Sequence, residues 1–238
     1  MDIIWKLFFT CIGMLSKLDI CVIFDLDGTL VDSEGLCNQA FLDLLPQLSD
    51  TVESLIQRYR GKKLALILAD LESRLCQNLP DEFEQHYRQR VAQLFSGELK
   101  PMPGVVEMLE ATNFSKCIAS SGPPLKIRQA LQVSGLAPYF GDSIFSSYDV
   151  GSWKPEPGLF QYAANAMGFT PSQCVVVEDS EAGIEAAAAA GMKAFRYVRN
   201  GETSSCRTGV AFDDMSQLPE LLDHFASIAE LKRYEYSK

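Results

Sequence analysis

Apolar and polar positions change their period along this chain, and each change marks an element. Residues 21–24, Cys-Val-Ile-Phe, form an unbroken apolar run that stops at Asp25, as expected of a strand covered on both faces. Over residues 35–100 the spacing is helical instead. Leu36, Ala40 and Leu44, then Leu55 and Tyr59, share an apolar face that Pro46 interrupts; residues 64–69 continue it, and residues 82–95 form a further amphipathic stretch after Pro80. From residue 101 onward short apolar runs alternate with helical segments: residues 117–119, 143–145, 174–177 and 194–198. Strands alternating with helices predict βαβ units, a parallel sheet and right-handed connections. The alanine run at residues 186–190 predicts a helix packed closely on that sheet.

Composition adjusts this picture in three ways. The 47% hydrophobic and 22% charged content of the 238 residues is globular, so the chain can bury a core. A formal charge of -10 argues against nucleic acid as a partner, because phosphate neutralisation by Lys and Arg supplies most of that affinity. It leaves a small anionic substrate open, since a few local cations outweigh screened distant charge. The seven cysteines include no CxxC pair and read as reduced thiols of a cytoplasmic protein. Residues 7–15 are apolar, but no small-residue cleavage site follows them and the run is too short to span a membrane. An extra packed helix, or a start codon upstream of a true start at Met14, accounts for them, and no membrane partner is expected.

Candidate chemistry gathers at strand ends. Asp25 and Asp27, spaced i and i+2, project to one side of an extended backbone at the carboxyl end of the first strand, where open α/β sheets hold ligands. Gly28 then turns the chain and Thr29 offers a hydroxyl. Ser120 and Ser121 end a second strand before a helix, a place that exposes N–H groups to an anion. Lys154 is a fixed cation in a loop stiffened by Pro155 and Pro157, and Glu178 with Asp179 ends another buried strand in oxygen donors suited to a hard ion. Any one of these alone is ordinarily a cap or a solvated side chain.

In order, Asp-x-Asp-Gly-Thr, Ser, Lys and Glu-Asp resemble the four motifs of the haloacid dehalogenase superfamily over nearly the whole chain. The resemblance implies a Rossmann-like core of residues 1–32 and 101–238, a parallel sheet with helices on both faces, and a helical cap domain of residues 33–100 inserted after the first strand. Within the superfamily the chain is similar to the capped subgroup of β-phosphoglucomutase and sugar phosphatases. It is nearest the 6-phosphogluconate phosphatase type, through residues 147–149 before Trp153-Lys154-Pro155 and through residues 217–221.

That resemblance implies a Mg²⁺-dependent phosphomonoesterase of small phosphorylated sugars or sugar acids, with Mn²⁺ as an alternative ion. Asp25 would be the nucleophile, Asp27 the acid and base, and Lys154 the cation on Asp25 and the phosphoryl group. Ser120, Ser121 and Thr29 would bind phosphoryl oxygens. Asp25, Asp179, Glu178 (directly or through water) and the Asp27 main-chain carbonyl would hold the metal. Lys62 and Lys63, after Arg60-Gly61 in a helix–helix turn of the cap, would read the leaving group. The acid at Asp27 disfavours the dehalogenase and transport-ATPase branches. Cys37 stands where mutase-like chains carry His, which disfavours an isomerase; a phosphoglycolate phosphatase and a non-catalytic scaffold are the remaining alternatives, and Lys62 and Lys63 keep a Schiff-base hydrolase open. A monomer is expected, with a dimer as the alternative.

Overall fold

A computed structural model of the protein describes residues 20–199 and 209–235; the apolar segment at residues 7–15 lies outside them. The first strand, β1 (Cys21–Phe24), is buried at every position, as its unbroken apolar run requires. Four helices follow: α1 (Glu34–Leu44), α2 (Val52–Tyr59), α3 (Leu64–Leu75) and α4 (Phe83–Glu98). Helix α1 ends just before Pro46, and α2 starts from a capping box in which Thr51 and Ser54 satisfy each other's backbone N–H groups. The remainder runs α5 (Val105–Ala111), β2 (Ser115–Ser120), α6 (Pro124–Val133), α7 (Ala137–Phe140), β3 (Ile144–Ser146), α8 (Ser147–Val150), α9 (Gly158–Ala166), β4 (Cys174–Glu178), α10 (Glu181–Ala189), β5 (Lys193–Tyr197), β6 (Val210–Phe212) and α11 (Leu218–Glu235).

All strand pairs are parallel, in the order β3-β2-β1-β4-β5-β6. The chain steps outward from β1 to β2 and β3, then returns to lay β4 against the other side of β1. That reversal makes the carboxyl ends of β1 and β4 the switch point of the sheet, where a doubly wound fold leaves a crevice. Alternate residues of each strand face opposite layers. Val22, Phe24, Ile118, Val175 and Val177 join one apolar cluster, and Cys21, Ile23, Cys117, Cys174 and Val176 join the other. The alanine-rich α10 seats Ala186 and Ala187 in the second cluster, where the small side chains allow close approach to the sheet.

Helices α1–α4 pack around Phe41, whose ring stacks on Tyr87 at 4.2 Å and meets Tyr59 edge-on. Their core is continuous with the sheet's first apolar cluster. The chain leaves and re-enters the sheet layer at adjacent points: the Asp32 N–H donates to the Lys100 carbonyl (3.0 Å), the Met102 N–H donates to the Leu30 carbonyl (2.9 Å), and Val31 bridges to Pro101. Two neighbouring connections therefore carry the helical segment over the carboxyl edge of the sheet. No helix among the described residues is long and apolar enough to cross a membrane, and Cys37, Cys76, Cys117 and Cys174 carry unbridged thiols.

Candidate active site

The parallel pairing of β1 with β4 continues one residue past the strand, where the Asp25 N–H donates to the Val177 carbonyl (2.9 Å). Asp25 and Glu178 are thereby delivered side by side at the switch point. Lys154, from the loop after α8, reaches between them: its Nζ lies 2.5 Å from Asp25 Oδ1 and 2.6 Å from Glu178 Oε1, with the lysine only 7% exposed. The other Glu178 oxygen accepts the Ser180 N–H at 2.6 Å. Both oxygens of Glu178 thus carry a hydrogen bond.

Asp179 accepts the Thr29 hydroxyl at 3.0 Å through Oδ1. Two glycines make this crowding feasible. Gly28, at φ +84°, lies so near Asp179 that an added Cβ would sit 2.6 Å from Oδ2, and a Cβ on Gly183 in α10 would overlap the Glu178 carboxyl group. Thr29 itself is fully buried and does not line the cavity above the sheet. Its hydroxyl serves Asp179, which departs from the expected contact with a phosphoryl oxygen.

Asp27 points elsewhere. Lys126 Nζ, from α6, donates to both of its oxygens at 2.8 Å, and the Ser33 hydroxyl donates to Oδ1 at 2.5 Å. Ser120 is buried and its hydroxyl accepts the Gly122 N–H at 3.1 Å, while Ser121 is exposed beside it. A cavity of about 1170 Å³ spans the sheet edge and the helical segment, and Asp25, Asp27, Ser120, Ser121, Lys154, Glu178 and Asp179 all line it.

Lys62 and Lys63 line the same cavity from the turn between α2 and α3. A Cβ added to Gly61 in that turn would meet the Ser180 side chain at 3.5 Å, so the turn lies close to the loop that carries Glu178 and Asp179. Lys63 Nζ lies 5.0 Å from the centre of the Trp153 ring, beside Lys154, and Lys62 Nζ lies 6.0 Å from that of Tyr59. Arg60 is anchored differently: its guanidinium forks onto Glu34 at 2.9 and 3.0 Å, and Arg199 reaches Asp32 (3.2 Å) and Glu34 (3.5 Å). Arg60 accordingly joins the start of α1 to the turn beside the cavity.

Burial dominates the electrostatics. It pushes Asp25 up to about 7 despite Lys154, with Glu178 and Asp27 adding to the rise. Burial and the charges of Glu178 and Asp25 likewise hold Asp179 well above the usual carboxylate range. Lys154 moves upward, because burial, which would lower it, is outweighed by its two carboxylate partners. Asp27 goes the other way: burial would raise it, but the charge and hydrogen bonds of Lys126 and the Ser33 hydroxyl outweigh that and hold it low. Burial raises the Cys37 thiol, leaving it neutral at physiological pH.

Fully ionised, the cluster of Asp25, Glu178 and Asp179 would carry more negative charge than Lys154 neutralises, and burial with the mutual repulsion of its members opposes that ionisation. Its donors are all oxygen, the set preferred by a hard divalent cation. Among the described residues no three His, Cys, Asp or Glu side chains already converge as a ligand set. A cation here would use main-chain oxygen and water besides side chains.

Sequence reasoning missed Lys126 and the Ser33, Glu34, Arg60 and Arg199 contacts. Lys126 did leave a signal. It is the third residue of α6, where the positive end of the helix dipole disfavours a cation, so its presence there pointed to a specific anion.

Residues 21–191 match the model of a hydrolase family described as haloacid dehalogenase-like hydrolase. The chain is 35% identical to 6-phosphogluconate phosphatase of Escherichia coli over 212 residues, which cover 87% of this chain and 96% of that protein. It is 30% identical to fructose-1-phosphate phosphatase of the same organism over 177 residues, 73% of this chain and 93% of that one. Among solved structures, a haloacid dehalogenase-like protein of unknown function from Agrobacterium tumefaciens superposes with a TM-score of 0.76 at 30% identity, covering 87% of this chain and 99% of its own.

Proposed function

The chain belongs to the haloacid dehalogenase-like hydrolase family, and from that premise we propose that it is a Mg²⁺-dependent phosphomonoesterase. Its substrates on this reading are small phosphorylated sugars or sugar acids, 6-phosphogluconate among them, and the reaction runs through an aspartyl-phosphate on Asp25. The observation that carries the reading is Lys154 lying across Asp25 and Glu178 at the switch point of the sheet, inside a cavity.

Asp25 attacks phosphorus in line, so that an Oδ–P bond forms as the bond to the departing oxygen breaks. An anion approaching an anion needs charge cancellation, and Lys154 supplies part of it while fixing the carboxylate. The Ser120 hydroxyl and the Ser121 N–H bind equatorial oxygens. Asp27 gives a proton to the departing alkoxide, then takes one from the water that cleaves the acyl phosphate; inorganic phosphate leaves and Asp25 is regenerated. Asp25, Asp179 and the Asp27 main-chain carbonyl would hold the metal, with Glu178 behind a water and Thr29 orienting Asp179. Bound Mg²⁺ supplies the remaining charge neutralisation at the phosphoryl oxygens.

Helices α1–α4 act as the cap, and Lys62 and Lys63 face the leaving group. An isomerase must keep its phosphoenzyme from water while the sugar turns round. Cys37, neutral and packed near Asp27, offers no basic group for that task.

The test is a purified-enzyme screen of phosphorylated metabolites with free phosphate as readout, run beside Asp25→Asn. The variant is expected to fold normally by circular dichroism and to lose turnover entirely. Wild-type-like activity in Asp25→Asn, with deamidation excluded by mass spectrometry, would reject Asp25 as the nucleophile.

A further inference from the structure

Resting on the phosphomonoesterase reading, we propose that Lys126 is a positioning residue that holds the Asp27 carboxylate in the orientation from which it serves the leaving group. Three observations carry this. The first is the fork: a single Nζ donates to both Asp27 oxygens at 2.8 Å, which fixes the direction in which the carboxylate points, while the Ser33 hydroxyl on Oδ1 sets its rotation about Cβ–Cγ. The second is the placement of the cation. Lys126 sits in the first turn of α6, against the helix dipole, so an unpaired lysine would be disfavoured there and the pairing with Asp27 is what its position suits.

The third is how the lysine is held. Its Nζ lies 5.6 Å from the centre of the Phe95 ring of α4, and one turn on, Gln129 Nε2 donates to the Ala92 carbonyl at 2.9 Å. Helix α6 is therefore braced against the last helix of the segment above the cavity, and the orientation of Asp27 is tied to where that segment sits. The Lys126 side chain is 23% exposed and lines the cavity, so the lysine and the carboxylate it holds both face the space that a substrate would enter.

The experiment compares Lys126→Met, which keeps the aliphatic stem on Phe95, with Lys126→Arg, which keeps a cation and forked donors. Single-turnover phosphoryl transfer is measured with a sugar phosphate, whose alkoxide needs a proton, and with p-nitrophenyl phosphate, whose leaving group hardly does. Lys126→Met is expected to slow transfer from the sugar phosphate by ~10- to 100-fold, the scale of a lost charge-assisted hydrogen bond. Transfer from p-nitrophenyl phosphate and the KM for both substrates should change by less than ~3-fold, and Lys126→Arg should recover most of the loss. In an Asp27→Asn background Lys126→Met should add less than ~2-fold, because the carboxylate it positions is gone.

Equal loss on both substrates, additive loss in the Asp27→Asn background, or transfer as fast as wild type would overturn the assignment of Lys126. If Lys126→Met does not fold, Lys126→Gln carries the same comparison. Failure of the underlying reading looks different: the wild type would release no phosphate, or Asp27→Asn alone would affect both substrates equally, and either result overturns the proposal with it.

Discussion

Asp25 and Asp27 stand two residues apart on the same strand end and meet opposite surroundings. Asp25 is buried against Glu178 and Lys154 and sits up at about 7, while Asp27 is held low by Lys126 and Ser33. On the proposed mechanism such different partners suit two jobs: Asp25 as nucleophile, and Asp27, held ionised at rest, in the form that takes a proton from the attacking water. The division predicts a selective defect. Asp27→Asn should slow phosphoryl transfer from substrates with poor alkoxide leaving groups by about 10²- to 10⁴-fold, the usual contribution of a general acid, and affect p-nitrophenyl phosphate far less. Rapid-quench measurement of the first turnover checks this, and equal losses would remove Asp27 from the role. The pair itself was legible in the sequence, because i and i+2 on a strand share a face whatever the rest of the chain does. Its partners were not: Lys126 lies 99 positions from Asp27 and meets it only once α6 is laid against the sheet.

At the scale of elements, the turn between α2 and α3 links the helical segment to the chemistry. Gly61 adopts φ +73° in a turn that lies near Ser180 and places Lys62 and Lys63 on the cavity wall, while Arg60 ties the same turn to Glu34 at the start of α1. If the two lysines read an acidic leaving group, changing both to Ala should lower kcat/KM for a sugar-acid phosphate by roughly one to two decades, chiefly through KM. Neutral sugar phosphates should change much less. A double variant that treats acidic and neutral substrates as the wild type does would show the turn to be a solvated loop. The turn could be seen in the sequence from its glycine and cations, but its place near Ser180 could not, because that depends on how α1–α4 dock. Strand β6 was missed for a related reason. Val210–Phe212 is short and buries only Phe212, and it becomes a strand by pairing with β5 at the edge of the sheet.

Across the whole molecule, the buried carboxylate cluster couples stability to pH and, on the proposed Mg²⁺ dependence, to divalent cations. Asp25 rises from an ordinary value of 3.8 to about 7 in the fold, and Asp179 also moves up, so the folded protein holds protons that the unfolded chain releases. This contribution is fully present below pH ~4 and is lost as pH rises through about 7, so the metal-free protein should lose stability over that interval. A cation that binds only the folded state offsets the loss. Mg²⁺ at about a hundred times its Kd should raise Tm by roughly 5–10 °C near pH 8 and by much less near pH 5, as thermal unfolding with EDTA or MgCl₂ will show. A Tm shift independent of pH would mean that the ion does not bind at these carboxylates. The sequence by itself determined the strand–helix alternation, the helical segment between the first two strands, the strand-end positions of Asp25, Ser120 and Glu178 and the loop position of Lys154. These are local consequences of periodicity and of where apolar runs stop, and local patterns survive without knowledge of neighbours. Only the tertiary structure decided that β4 returns beside β1, that Lys154 lies across Asp25 and Glu178, that Thr29 serves Asp179, and that Lys126 holds Asp27. Those are contacts between side chains far apart in the chain, and their partners are selected by packing, burial and the pairing of buried charge, which no window of sequence contains.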